Sequence, residues 1–282
     1  MDESSILIVG ANGQLGTALQ ARYPGARTVD STHLDITDAA AVSAYDWNGI
    51  KLILNAAAYT NVDGAETAEG RVAAWKVNAT AVGYLVDATL EHDLTLVHLS
   101  TDYVFDGTRD FHPEDEPLSP LGVYGQSKAA GDVVVGRAPR HYLLRTSWVI
   151  GDGPNFVRTM LDLGAKGIAP TVVADQIGRL TFTSELVRAI DHLLVNNAAP
   201  GTYNASNGGE AVSWADITRA IFQAAGYDLT VTDTTTADYY AGKPGIAPRP
   251  LSSTLDLSKL QATGFAPTDW HNDLQVYIQD PA

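Results

Sequence analysis

The residues Tyr124 and Lys128, in the run Tyr124-Gly-Gln-Ser-Lys128, stand four apart. On a helix that spacing puts both on one face, one turn from each other. A cation beside a phenol favours the phenolate and lowers the phenol's pKa. A tyrosine tuned in this way exchanges a proton with a carbonyl oxygen or an alcohol near neutral pH. That is half of a carbonyl reduction, and the other half, a hydride, must come from a cofactor. Alone the pair is unspecific, because an ordinary surface helix also carries aromatic and cationic residues at this spacing.

A hydride carrier has a candidate site at the start of the chain. The turn Gly10-Ala11-Asn12-Gly13-Gln14-Leu15-Gly16 follows an apolar run and opens a helical stretch. Glycines there permit a tight turn, close approach of a pyrophosphate, and close helix–strand packing. The helix N-terminus adds unpaired N–H groups and the positive end of its dipole. The spacing is G-x-x-G-x-x-G, and its place between first strand and first helix points to a dinucleotide. Asp30 comes about twenty residues after Gly10, where an acid binds the adenosine ribose hydroxyls and disfavours a 2′-phosphate, leaning toward NADH. Asp35 and Ile36 are placed to lie beside the adenine. Asn55-Ala56-Ala57-Ala58-Tyr59-Thr60 ends another strand, and its small residues let the dinucleotide pass close to the sheet edge. Ser100-Thr101-Asp102 ends the next strand, and a hydroxyl there can hydrogen-bond a substrate carbonyl beside Tyr124.

These residues need a frame. Apolar, β-branched runs at Ser5–Gly10, Ala26–Asp30, Lys51–Asn55, Leu94–Ser100 and Tyr142–Ile150 read as buried strands. Between them lie helical stretches: Gln14–Tyr23, a helix capped by Asp38, a long helix over Ala65–His92, and the helix carrying Tyr124 and Lys128. This alternation predicts an α/β fold with a doubly wound parallel sheet. Further helices are expected at Phe156–Leu163, Ser184–Asn196, Trp214–Ala225 and Trp270–Gln279, with short strands at Thr171–Ala174, Thr202–Asn204 and Leu229–Thr232. Gly242–Ser253 reads as an ordered loop. The expected organisation is a dinucleotide-binding lobe over residues 1–150 and a smaller substrate lobe over 151–282, interleaved and with no flexible linker.

The chain has 282 residues, no cysteine and a formal net charge of −15. Disulfides, thiolate metal sites and a cysteine nucleophile are excluded. So acidic a chain, with no run of basic residues, repels nucleic acid and anionic membrane surfaces. The apolar run Ile6–Val9 is too short for a signal peptide or a membrane span. The expectation is a soluble, cytoplasmic protein, and no cluster at metal-ligand spacing predicts a metal.

The blocks GANGQLG (10–16), NAAAYTNVDGAE (55–66), VNAT (77–80), HLSTDYVFDG (98–107), VYGQSKAAGD (123–132), RTSWVIG (145–151) and ADQIGRLT (174–181) together resemble the extended short-chain dehydrogenase/reductases. Within them the chain is similar to the dTDP-4-dehydrorhamnose reductase family, with a weaker match at PRPLSSTLD (248–256). The resemblance implies that a dTDP-linked 4-keto-deoxy sugar is reduced at C4 by hydride from NADPH or NADH. It implies that Tyr124 protonates the C4 oxygen, Lys128 holds the nicotinamide ribose and Thr101 polarises the carbonyl. Asn78 would position the lysine through water, and Thr60, Asp102 and Trp148 would contact the substrate. Asn155, Gln176 and Arg249 are weaker candidates, with Arg249 facing the diphosphate. A homodimer and a 3,5-epimerase, fused or separate, remain open as partners. Gly178-Arg179-Leu180-Thr181 departs from the family's Gly-x-Pro-Thr. Nucleotide-sugar dehydratases and epimerases, and a non-catalytic regulatory subunit, are the alternatives. Dehydratases carry a Glu after the Thr-Asp pair where this chain has Tyr103, which favours simple reduction.

Overall fold

The computed structural model describes residues 2–279. The first half alternates strand and helix: β1 (Ile6–Val9), α1 (Gln14–Arg22), β2 (Arg27–Val29), α2 (Ala39–Ala44), β3 (Leu52–Asn55), α3 (Ala68–Trp75), α4 (Ala81–His92), β4 (Thr95–Thr101), α5 (Val123–Val135) and β5 (His141–Thr146). The second half runs β6 (Val149–Ile150), α6 (Phe156–Ala165), β7 (Thr171–Val173), β8 (Ile177–Gly178), β9 (Thr181–Phe182), α7 (Thr183–Val195) and β10 (Gly201–Asn204). It ends with β11 (Val212–Ser213), α8 (Trp214–Ala225), β12 (Thr232–Thr234), α9 (Thr236–Tyr240), α10 (Ser258–Ala262) and α11 (Trp270–Gln279).

Six strands form one sheet in the order β2-β1-β3-β4-β5-β10, and every pairing is parallel. Parallel strands are covered on both faces, which is why β1 and β3 read as unbroken apolar runs. Leu15, Leu19, Leu186, Ile190 and Leu193 from α1 and α7 cover one face. Val42, Val82, Leu85, Val86 and Val135 from α2, α4 and α5 cover the other. The strand order reverses between β1 and β3, and ligands bind at such a switch point beyond the carboxyl ends of the strands. Register lines those ends up: Val9 pairs with Asn55, and Asn55 with His98.

A third core lies outside the sheet. Val157, Met160, Phe182, Ile217, Ile221, Phe222, Trp270 and Leu274 join α6, α8 and α11. The chain passes repeatedly between this lobe and the sheet: α7 packs against α1 and β10 pairs with β5 before α8 begins, and Leu260 of α10 joins the sheet's core before α11 returns to the third core.

Several elements differ from the sequence expectation, among them the short β8, β9, β11, α9 and α10, which have no counterpart in it. The stretch expected as one helix over Ala65–His92 begins with a short 3-10 turn, because the Thr67 hydroxyl accepts from Gly70 N and starts α3 there. It then widens into a π-helical turn at Lys76–Thr80 before α4. The strand expected over Tyr142–Ile150 breaks at Ser147-Trp148, where Trp148 takes φ +45°. The strand expected at Leu229–Thr232 lies at Thr232–Thr234, its register set by pairing to β7 rather than by an apolar run. Within the expected loop Gly242–Ser253, Ser252 bridges to Ile177.

The π turn meets α5 closely: a Cβ on Gly131 would stand 2.2 Å from the Asn78 carbonyl oxygen. Intrinsic propensity would make Gly131→Ala stabilise α5 by about 1 kcal/mol. The contact predicts the opposite sign, a loss of about 1–3 kcal/mol from forced separation, which urea unfolding will measure.

Candidate active site

The glycine turn links β1 to α1 at the switch point. Gly10 has φ +78°, and a Cβ there would come within 2.6 Å of Ala57 N. A Cβ on Gly16 would lie 2.2 Å from the Gly10 carbonyl oxygen. Both glycines are therefore required by the protein's own packing. Gly13 is different: its nearest neighbour would be the Gly10 oxygen at 3.4 Å. It is the N-cap of α1, and the protein's own packing leaves open space at this helix N-terminus, where an anion can approach the backbone. Leu15 is buried in the core, and Gln14 donates to the Pro154 carbonyl at 3.0 Å, tying the turn to the second lobe.

Asp30 follows β2 and is held from several sides. One oxygen accepts from Thr32 N, the Thr32 hydroxyl and the His33 ring, and the other from the Asn12 amide at 2.8 Å. The Thr32 and His33 bonds hold its carboxyl below the usual range. Asp35 makes the same kind of local turn with Thr37, while Ile36 is buried in the core under the sheet. Ala56, Ala57, Ala58 and Tyr59 lie half-buried along the edge after β3, and Thr60 is exposed.

Asn78 sits in the π turn and is 1% exposed. Its amide oxygen accepts from Tyr59 N at 2.9 Å, and its nitrogen donates to the Tyr59 carbonyl at 3.1 Å and the Ser127 hydroxyl at 3.0 Å. Both amide donors are thus taken, and Asn78 clamps the loop after β3 to α5. Asn55 makes a parallel clamp that its sequence position did not reveal. It donates to the His98 ring at 2.9 Å and accepts from Ala57 N. His98 is fully buried, and burial, aided by the charge of Lys128, holds its imidazole neutral.

The reactive groups meet where β4 ends beside α5. Lys128 is 2% exposed and donates to the Leu99 carbonyl at 2.6 Å. Burial pulls its ammonium down to about 8, opposed by Asp132. Burial pushes the Tyr124 phenol above its ordinary value; the nearby Thr101 hydroxyl opposes this, and Asp102 and Asp132 add to it. The expected lowering of the phenol by Lys128 is therefore absent here, because the ammonium is turned to Leu99 and burial dominates. The Tyr103 ring stands edge-on to Tyr124, with centroids 5.6 Å apart. Asp102 is 3% exposed and accepts from the Thr101 hydroxyl at 3.0 Å. Burial raises it to about 6, against the pull of the nearby Ser253 and Thr101 hydroxyls.

The remaining candidates divide. Trp148 stacks on Trp214 with ring centroids 3.7 Å apart, and its ring fills the space a Cβ on Gly178 would need. Asn155 caps α6, accepting from Arg158 N and donating to the Gly151 and Gly153 carbonyls and the Tyr277 hydroxyl. Gln176 is buried and bonds the Thr236 hydroxyl. Arg249 is paired with both oxygens of Asp63, at 2.9 and 3.0 Å, and lies over the Tyr240 ring. Arg179, in the departing segment, donates to the Gly209 and Leu255 carbonyls.

A glycine turn shaped for a pyrophosphate, opposite a buried Tyr–Lys pair with a threonine hydroxyl on the phenol, defines a dinucleotide-dependent reductase of the short-chain type. The chain matches the family described as RmlD substrate binding domain over residues 4–282, and it belongs to that family. It is 39% identical to a dTDP-4-dehydrorhamnose reductase of Aggregatibacter actinomycetemcomitans, covering 96% of this chain and 97% of that one. It is also 39% identical to a dTDP-4-dehydrorhamnose reductase of Mycolicibacterium smegmatis, covering 96% of this chain and 84% of that one. A solved dTDP-4-dehydrorhamnose reductase of Bacillus anthracis, in complex with NADP, superimposes with a TM-score of 0.89 at 34% identity, over 98% of this chain and 99% of that one.

Asp102 gives a pH test. Its folded pKa, about 6, lies above the ordinary 3.8, so the folded protein holds the proton more tightly. Stability is lost as pH rises from about 4 to 6, and the full cost persists above that. Asp102→Asn should therefore gain up to about 3 kcal/mol over the wild type at pH 7. The gain should vanish below pH about 4, as denaturant melts at the two pH values will show.

Proposed function

We propose that this protein reduces the C4 keto group of dTDP-4-dehydro-L-rhamnose to dTDP-L-rhamnose, using NADPH or NADH. The observation that carries the reading is the meeting of Thr101, Tyr124 and Lys128 at the carboxyl edge of β4, facing the switch point where Gly13 leaves room for a dinucleotide. The family relatives support the sugar.

When bound, the nicotinamide supplies the hydride. The protein does the rest. The Gly10–Gly16 turn and the α1 N-terminus hold the pyrophosphate. Lys128, with three donors and one hydrogen bond to Leu99, has donor capacity left for a ribose diol. Thr101 and Tyr124 together hold the C4 oxygen, and Tyr124, kept protonated by burial, gives it a proton. Trp148 and Trp214 present an apolar wall to the sugar, with Thr60 and Asp102 beside it. Arg249 reaches a diphosphate only by giving up Asp63, and it stays in the substrate set on that condition. Asn155 and Gln176, the weaker candidates for contacts to the nucleotide sugar, already hold internal partners, the α6 cap and Thr236.

Both dinucleotides belong to the reading. Asp30 sets a fixed negative charge where a 2′-phosphate would lie, whereas the Bacillus anthracis relative was solved with NADP. A dehydratase is disfavoured because Tyr103, a neutral phenol pushed up by burial, stands where elimination needs an acid. With this reading go a cytoplasmic setting, a homodimer, and a 3,5-epimerase acting on the preceding sugar.

The test is to follow NADPH and NADH absorbance with dTDP-4-dehydro-L-rhamnose. Turnover of either cofactor is expected, and oxidation of neither overturns the reading. Tyr124→Phe should lower kcat by about 10²–10⁴ while dinucleotide binding is kept. Full activity in that variant would remove Tyr124 as the proton donor.

A further inference from the structure

The helix α5 carries a third ionisable residue on the face of Tyr124 and Lys128. Asp132 lies one more turn along, at the same four-residue spacing. Its side chain is 2% exposed, and its Oδ2 accepts from Arg145 Nε on β5 at 3.0 Å; the Arg145 side chain is 6% exposed. Arg145 is fixed in turn by the Glu114 carbonyl and by stacking on Phe105. The Asp132 Oδ1 has no well-formed hydrogen bond, although the Ser100 hydroxyl lies near enough to favour the charged form.

A buried ion pair of this kind is not a stability device. Desolvation of both charges offsets most of their attraction, and an apolar pair of similar volume often does as well. Two cations, Lys128 and Arg145, are buried around one carboxylate. Remove the carboxylate and neither cation keeps a counter-charge on this face. The groups around Lys128 are few: His98 on β4, held neutral; Asp102 at the end of β4; Arg145 on β5; and Tyr124 and Asp132 on α5. Asp132 favours the ammonium. Lying one turn along the same helix face, Asp132 is the carboxylate placed to act on Lys128.

We propose that Asp132, anchored by Arg145, is a positioning residue for the reduction, holding Lys128 as a charged, cofactor-facing donor in a site too dry to keep it so unaided. The inference rests on the dinucleotide-dependent reading above. Asp132 touches neither substrate nor cofactor in this role, and acts through Lys128.

The test is NADPH binding by fluorescence titration across pH 6–10, which needs no sugar. The wild type should bind with affinity falling as pH rises through the ionisation of Lys128. In Asp132→Asn that fall should begin about one pH unit lower, with about threefold weaker binding at pH 7.5 and about tenfold weaker binding by pH 9. Asp132→Glu should recover most of the difference. Arginine does not discharge in this range, so in a Lys128→Arg background Asp132→Asn should leave the pH profile unmoved. Because Asp132→Asn strands Arg145, the double variant Asp132→Asn/Arg145→Gln carries the same test without an unpaired guanidinium. If the double variant regains the wild-type profile, Asp132 is only a partner for Arg145 and the proposal fails. An unmoved profile in Asp132→Asn overturns it equally. A wild type that binds neither dinucleotide overturns the reductase reading, and this inference with it.

Discussion

An ammonium group with almost no access to water is the constraint around which this site is organised. Lys128 lies against the Leu99 carbonyl of β4, so α5 must stand within the reach of a lysine side chain of the sheet. A helix with full side chains on that face could not come so close. Gly125 and Gly131 stand either side of Lys128, and a Cβ on either would come within 2.2 Å of a carbonyl oxygen, of Tyr103 and of Asn78 respectively. The approach brings Tyr124 to Thr101 and sets Asn78 against Ser127. Without that approach the residues for proton transfer would face solvent, and their pKa values would stay ordinary.

Burial then determines the chemistry of each group in opposite directions. It discharges Lys128 toward neutrality, keeps Tyr124 and Asp102 protonated to higher pH, and leaves His98 uncharged. A neutral phenol is the right form for donating a proton to a sugar ketone. The cost falls on Lys128, whose proposed task needs the charge. The Tyr–Lys spacing alone suggests that the lysine acidifies the phenol. In the folded protein the two groups are separated in function: the phenol answers to Thr101 and to burial, and the lysine to Leu99 and Asp132.

What the sequence made legible was whatever is decided by local spacing. The glycine turn, the Asp38 cap on α2 and the strand ends carrying Asn55 and Thr101 all follow from neighbours within a few residues. Long-range choices were hidden. Arg249 and Asp63 are 186 positions apart, and nothing in a loop arginine reveals that it already has a carboxylate. Asn155 looks like a free amide until α6 turns it into a cap. The π turn at Lys76–Thr80 has helical periodicity in sequence, since one wider turn changes the pattern little. The strand at Thr232–Thr234 has little apolar signal, because its position is set by β7.

Trp148 shows how the sheet and the third core are tied together. The strand β5 belongs to the dinucleotide-binding sheet, and two residues beyond its end the chain must turn toward the third core. Trp148 makes that turn with a left-handed backbone, which costs a large side chain about 1–2 kcal/mol. Its ring stacks on Trp214 of α8, and its carbonyl accepts from Thr181 N, so packing from the second lobe offsets the strain. Strain of this kind persists only where the surroundings over-determine it. Here they do: Gly178 clears the space for the ring, and Arg179 fixes the departing segment through the Gly209 and Leu255 carbonyls. The changed segment therefore keeps Trp148, the wall proposed for the sugar, in register with β5.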